Sequence, residues 1–316
     1  MNSISLAIPV LALILAPLLT GVINRVKALF AGRDGQPLLQ LYYDLAKLLR
    51  KGAVYSRTTS WVFRAGPVVG LASAITALFV LPLGGVAAPL SFAGDAIMLA
   101  YLLGIMRFFT VIAALDTGSA FEGMGASREV QFSALAEPTL LLGLAAVAHA
   151  GAGSAPGGLA HSGVFYSLSS MVSRLSIDAW MQSGPALLMV AAALVVVFLA
   201  ENSRIPFDDP NTHLELTMIH EVMVLDHSGP DFAMILYGAS LKMWILGSLI
   251  ASILIPVRTG NPWLDGAAIV GGLFLLAVVT GVVESIMARL RLLRVPQLLV
   301  SAGFLSSLAL ALILWS

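Results

Sequence analysis

LLMVAAALVVVFLAENSRIPFDDPNTHLELTMIHEVMVLDHSGPD, residues 187–231, sets an uncharged run against a strongly acidic segment. Residues 187–200 are all apolar or small. Beyond them come seven acids (Glu201, Asp208, Asp209, Glu215, Glu221, Asp226 and Asp231), three histidines and one arginine, Arg204. The rest of the chain says what the run is. Of 316 residues, 59% are hydrophobic and 11% charged, against about 25% charged in soluble domains, and the mean hydropathy is +0.94. Its apolar runs last roughly 20 residues instead of alternating over about ten, which selects transmembrane helices over a barrel. The expected fold is an all-α polytopic membrane protein with about eight spans and amphipathic cytoplasmic loops, one integral domain over 1–316.

The spans are expected near 5–23, 66–89, 94–115, 131–150, 185–201, 232–256, 264–287 and 296–315. MNSISLAIPVLALILAPLLTGVIN has no positively charged leading region, so it reads as a retained span, not a signal peptide. Thirteen of the 17 basic residues fall in loops on one side: Arg25, Lys27, Arg33, Lys47, Arg50, Lys51, Arg57 and Arg64 in 24–65, Arg128 in 116–130, Arg204 in 202–231, and Arg289, Arg291 and Arg294 in 288–295. The positive-inside rule makes these loops cytoplasmic and puts both termini outside, in a bacterial or archaeal cytoplasmic (inner) membrane. Residues 151–170 read as an outer loop, and 171–183 as a short interfacial helix anchored by Trp180. No fixed-period repeat is visible. Net charge is zero, so nothing points to nucleic acid, and the chain has no cysteine, which excludes thiolate-held clusters and disulfides within it.

Ionisable groups inside spans cost at least about 2.5–3.5 kcal/mol and need partners or a wet cavity. Lys242 lies roughly 15 Å into the sixth span, and Arg107 roughly 13 Å from the end of the third. Glu137 precedes Pro138, which removes a backbone hydrogen bond and opens the helix locally. Two readings stand: structural pairs such as Lys242 with Glu137, or a proton path through a buried polar axis. Glu284 reads as snorkelling or paired with Arg289. In GSAFEGMGASREV (118–130), Glu122, Arg128 and Glu129 sit among glycines, as a solvated turn or as part of that axis. GRDGQPLLQLYYDLAKLLRK (32–51) puts Leu38, Leu41, Leu45, Leu48 and Leu49 on one face: a surface helix, or a platform on which Arg33, Lys47, Arg50 and Lys51, with Arg128 and Arg204, dock a soluble partner.

Within the opening segment, Pro206 and Pro210 keep 205–210 out of a helix. Asn211 or Thr212 caps a following helix, with Glu215 at its third position. His213, His220 and His227 are then about 10 Å apart in succession, too far to share a metal ion. Asp208 and Asp209 repel each other, a strain that one shared proton relieves.

These residues resemble the complex I subunit 1 family. ENSRIPFDDPNTHLELTMIHEVMVLDHSG resembles its loop between spans five and six, 32–51 its first cytoplasmic loop, and GSAFEGMGASRE its loop between spans three and four. One branch of the family forms quinone sites of respiratory NADH dehydrogenases. The other anchors group 4 nickel–iron hydrogenases, including formate hydrogenlyases. The quinone branch has the pattern ENxRxPFDLPEAExEL. Asp209 in place of its leucine, His213 within NTHLEL, and GASREVQFSALAEP are similar to the hydrogenase branch.

That resemblance implies a non-catalytic, ion-coupling subunit of an oxidoreductase complex. Its partners would be hydrogenase-like large and small subunits, carrying the iron–sulfur and nickel–iron centres, and antiporter-like membrane subunits. A proton path would start from Glu201, Asp208, Asp209, Glu215, Glu221 and Asp226, with Glu122, Glu129, Glu137, Arg107 and Lys242. A quinone-chamber subunit and a free-standing secondary transporter with a site at Lys242 are the competing expectations.

Overall fold

The computed structural model describes residues 3–152, 167–208, 218–256 and 259–315. Asp209, Glu215, His213 and the expected caps at 211–212 lie outside these, as does most of the expected outer loop. The elements are α1 (Ser3–Phe30), α2 (Gln40–Leu49), α3 (Trp61–Val80), α4 (Asp95–Asp116), α5 (Ala120–Ala152), α6 (Leu168–Arg174), α7 (Ile177–Glu201), α8 (Gly229–Leu254), α9 (Pro262–Ile286) and α10 (Val295–Trp315), with 3-10 turns at Glu221–Val224 and Leu292–Arg294. Eight helical stretches are long and apolar enough to cross a membrane. The described residues hold no strand, only an isolated bridge between Leu83 and Val86. The chain is a multi-pass, all-α membrane protein.

α8 is the hub, packed against α1, α2, α3, α7 and α9. Residues 240–253 are buried without a break, Trp244 completely. A helix apolar all round belongs inside a bundle. The outer helices instead expose large apolar side chains such as Ile14, Phe108, Leu188, Leu275 and Phe304, as lipid-facing surfaces do. Glycines let helices approach closely. Gly281 of α9 leaves no room for a Cβ against Val26 and the Ile23 carbonyl of α1.

Three local expectations are corrected and a fourth is met. The 116–130 connection is mostly helix, because α5 starts at Ala120. Its Gly125 serves close packing against Ile219, Val222 and Met223, not a turn. The described part of the expected helix from Thr212 is a 3-10 turn, since the Asp208 carboxylate takes the N–H groups of Ile219 (3.0 Å) and His220 (3.3 Å). Residues 171–183 do not form one interfacial helix: α6 ends at Arg174 and α7 begins at Ile177, bending at Ser183 before Pro185. Trp180 therefore sits in α7, and its indole N–H donates to the Ile253 carbonyl at the end of α8 (3.0 Å). The surface helix in 32–51 is present as α2, with no fully buried residue. Its Tyr42 hydroxyl donates to the Ile14 carbonyl of α1.

The 218–228 segment is held at its far end by His227. The imidazole stacks on Phe63, centroids 3.9 Å apart and 11° from parallel, and is 7% exposed. Burial pushes its pKa down to about 4, against the opposing pull of Asp231 and Asp226. A depressed histidine pKa gives stability that is complete above the unfolded value near 6.5 and is lost as pH falls towards 4. Thermal unfolding in detergent is expected to show a loss of about 2 kcal/mol between neutral pH and about pH 5. His227→Phe, which keeps the stack without the proton, should flatten that dependence. An unchanged slope in the variant would assign it elsewhere.

Candidate functional site

Five ionisable side chains from four helices converge between α4, α5, α7 and α8. Arg107 of α4 is 9% exposed and works as a three-pronged clamp. Its Nη1 meets Glu137 Oε1 at 2.5 Å, its Nη2 meets Glu201 Oε1 at 2.5 Å, and its Nε lies 3.5 Å from Glu129 Oε1. Lys242 Nζ stands 3.7 Å from Glu201 Oε2. Helix geometry explains the set: Glu129 and Glu137 are about two turns apart on α5, and Glu201 is the last residue of α7. The expected Lys242–Glu137 pair is not formed. Glu137 goes to Arg107, and its side chain is 45% exposed on the outside of this bundle.

His220, weighed in the sequence only as a metal ligand, joins the cluster. Its Nδ1 is 3.9 Å from Glu129 Oε2. That is within ion-pair reach but longer than a hydrogen bond. Two small cavities flank the group, each with space of about 20 Å³, enough for one water molecule. One touches Glu129, Glu201, Ser203 and Asp208. The other touches Arg107, Thr110, His220 and Lys242.

A second buried group lies beside α1 and α9. Glu284, its side chain fully enclosed, forms an ion pair with Lys27 (Nζ–Oε2 2.8 Å) and lies 3.5 Å from Arg204 Nη1. The close α1–α9 approach at Gly281 delivers Lys27, so the expected pairing with Arg289 gives way to a nearer cation. Arg289 instead meets Asp208 at 2.9 Å. Asp208 thus has a cation and two peptide N–H groups to compensate its charge. Arg204 is 8% exposed and is unavailable for docking. Arg128 ties α5 to the turn by donating to the Met218 carbonyl at 2.8 Å. Arg33, Lys47, Arg50 and Lys51 are exposed.

The other expected path residues among those described are Glu122, Glu221 and Asp226. Glu122 is buried at the start of α5, near Asp226; Asp226 is exposed and Glu221 half-buried. The Lys27–Glu284 and Arg289–Asp208 pairings and the cluster role of His220 were not legible in the sequence. The only available signal for His220 was its place in the acid-rich segment.

The family model described as NADH dehydrogenase matches residues 2–316. The chain belongs to that family. Among its relatives, formate hydrogenlyase subunit 4 of Escherichia coli (strain K12) is 34% identical over 301 residues, covering 92% of this chain and 91% of the relative. Hydrogenase-4 component C of the same strain is 31% identical over 318 residues, covering 98% and 95%. An NADH-quinone oxidoreductase subunit of Anaplasma phagocytophilum (strain HZ) is 27% identical over 225 residues, covering 67% and 62%. The hydrogenase-side members of the NADH dehydrogenase family are therefore matched at higher identity and over more of their length, in line with the Asp209 and NTHLEL reading. The fold is shared with a chain of an archaeal respiratory membrane complex, the membrane-bound sulfane sulfur reductase, at a TM-score of 0.78 and 19% identity over 98% of both chains.

Proposed function

We propose that this chain is the membrane-anchor and ion-coupling component of a multisubunit, hydrogenase-type oxidoreductase in a bacterial or archaeal cytoplasmic membrane. The carrying observation is the Arg107 cluster: five ionisable groups flanked by water-sized cavities, in a chain matched along nearly its whole length by formate hydrogenlyase and hydrogenase-4 subunits. With no cysteine in the chain, iron–sulfur and nickel–iron centres belong on hydrogenase-like small and large subunits. Those would rest on the basic end, at Arg33, Lys47, Arg50 and Lys51. Half-exposed Glu137 gives the path a lateral exit towards an antiporter-like membrane subunit. A charge change on the docked arm would act through the 201–208 turn, which carries Glu201, Arg204 and Asp208. The water-sized cavities suit protons.

Glu201→Gln tests this reading. The complex is expected to assemble and to turn over with coupled proton transport into vesicles reduced about tenfold or more. Wild-type transport by an assembled variant would remove Glu201 from the path. The match to a quinone oxidoreductase subunit supports a second reading, a quinone-chamber subunit. Quinone bound stoichiometrically in the purified complex would establish it.

A further inference from the structure

The charges of the Arg107 cluster do not balance. Glu129, Glu137 and Glu201 supply three negative charges, and Arg107 and Lys242 two positive ones. The neighbouring groups pair among themselves: Asp208 is matched by Arg289, and the positive charge left over where Lys27 and Arg204 share Glu284 belongs to that separate group beside α1 and α9. Glu137 is half-exposed, but Glu129 and Glu201 are enclosed among side chains, where an unbalanced charge is costly and one added proton removes it. The cluster therefore has room for one exchangeable proton.

His220 is placed to deliver it. The residue lies where the 218–228 segment crosses the cluster, its peptide N–H fixed by Asp208 at 3.3 Å. Its Nδ1 is buried, makes no hydrogen bond among the described residues and stands 3.9 Å from Glu129 Oε2. Its ring shares a water-sized cavity with Arg107 and Thr110 of α4 and Lys242 of α8. The charged groups around it are Glu129 on α5, Arg107 on α4, Lys242 on α8, Asp208 below its backbone and the adjoining Glu221. We propose that His220 is the proton port of the Arg107 cluster, receiving a proton at one ring nitrogen and passing another from Nδ1 to Glu129 Oε2. Once the ring closes the 3.9 Å gap to hydrogen-bonding distance, the N–H bond at Nδ1 breaks as the O–H bond on Glu129 forms. Imidazolium and carboxylate become two neutral groups, and return of the ring from its Nε2–H to its Nδ1–H tautomer frees Nε2 for the next proton. This rests on the proton-path reading above.

The test uses the complex purified with this chain and reconstituted in vesicles. His220→Gln keeps volume and hydrogen bonding but cannot relay. It is expected to assemble and to lower proton transport about tenfold or more. His220→Ala should show the same loss, restored by imidazole in the medium but not by pyrazole, a ring of the same size that stays unprotonated near neutral pH. Wild-type transport by His220→Gln overturns the proposal. So does equal rescue of His220→Ala by the two rings, which would mean that the side chain only fills space. If Glu201→Gln abolishes transport while His220→Gln does not, the path stands and its port is elsewhere. If neither variant changes transport, the path reading itself falls. Should the alanine variant fail to assemble, the glutamine variant alone decides.

Discussion

Arg107→Met is expected to destabilise the folded chain by about 3–5 kcal/mol, the usual cost of removing one partner from a buried ion pair. The thioether fills much of the space but leaves Glu129, Glu137 and Glu201 facing one another, with Lys242 as the only cation. Arg107→Lys should recover only part of the loss. One ammonium cannot reproduce the fork that meets Glu137 and Glu201 at 2.5 Å each while its Nε faces Glu129. The readout is the unfolding midpoint in detergent, with the yield of assembled complex as a second measure. Adding Glu201→Gln to Arg107→Met should return some of the loss, because residues in one network are not additive. A midpoint for Arg107→Met equal to wild type would mean that water already screens the cluster.

Glu284→Leu is expected to cost a similar amount, about 3–5 kcal/mol, for the opposite reason. It leaves buried Arg204 and partly buried Lys27 with their common counter-charge gone. The damage should appear as loosening of the α1–α9 seam: faster amide exchange around Ile23–Lys27 and Gly281–Ser285, with slower change around α4. Removing a cation as well, in Lys27→Met with Glu284→Leu, should recover only part of the stability, because Arg204 still lacks its counter-charge. Unchanged exchange at the seam in the single variant would place its stabilisation in apolar packing alone.

The sequence made the architecture legible because apolar run length alone separates spans from loops. It also exposed the central charges, since Arg107, Lys242 and Glu137 stand out against their spans. Pairing was another matter. Glu137 and Lys242 look like partners by depth, yet the choice depends on helix rotation and on which cation arrives closer. Glu284 illustrates the same limit: Arg289 is near in sequence, while Lys27 is brought by the α1–α9 contact at Gly281. Glycine was ambiguous for a related reason. In GSAFEGMGASREV the residue suits a turn and a close helix contact equally, and only the neighbour at Gly125 decides. The short turn at Glu221–Val224 depends on the distant Asp208 carboxylate, a contact that local periodicity does not encode.

The two buried ion groups also differ in when they can close as the chain is made. Arg107, Glu129, Glu137 and Glu201 all precede Lys242, so α8 enters a bundle whose acids are already waiting. Lys27 and Arg204 precede Glu284, so two cations wait for an acid that arrives only with α9. Synthesis halted after α8 would therefore leave the Arg107 group complete and the Glu284 group open. Those two cations then stand without their acid until the seventh span is in place.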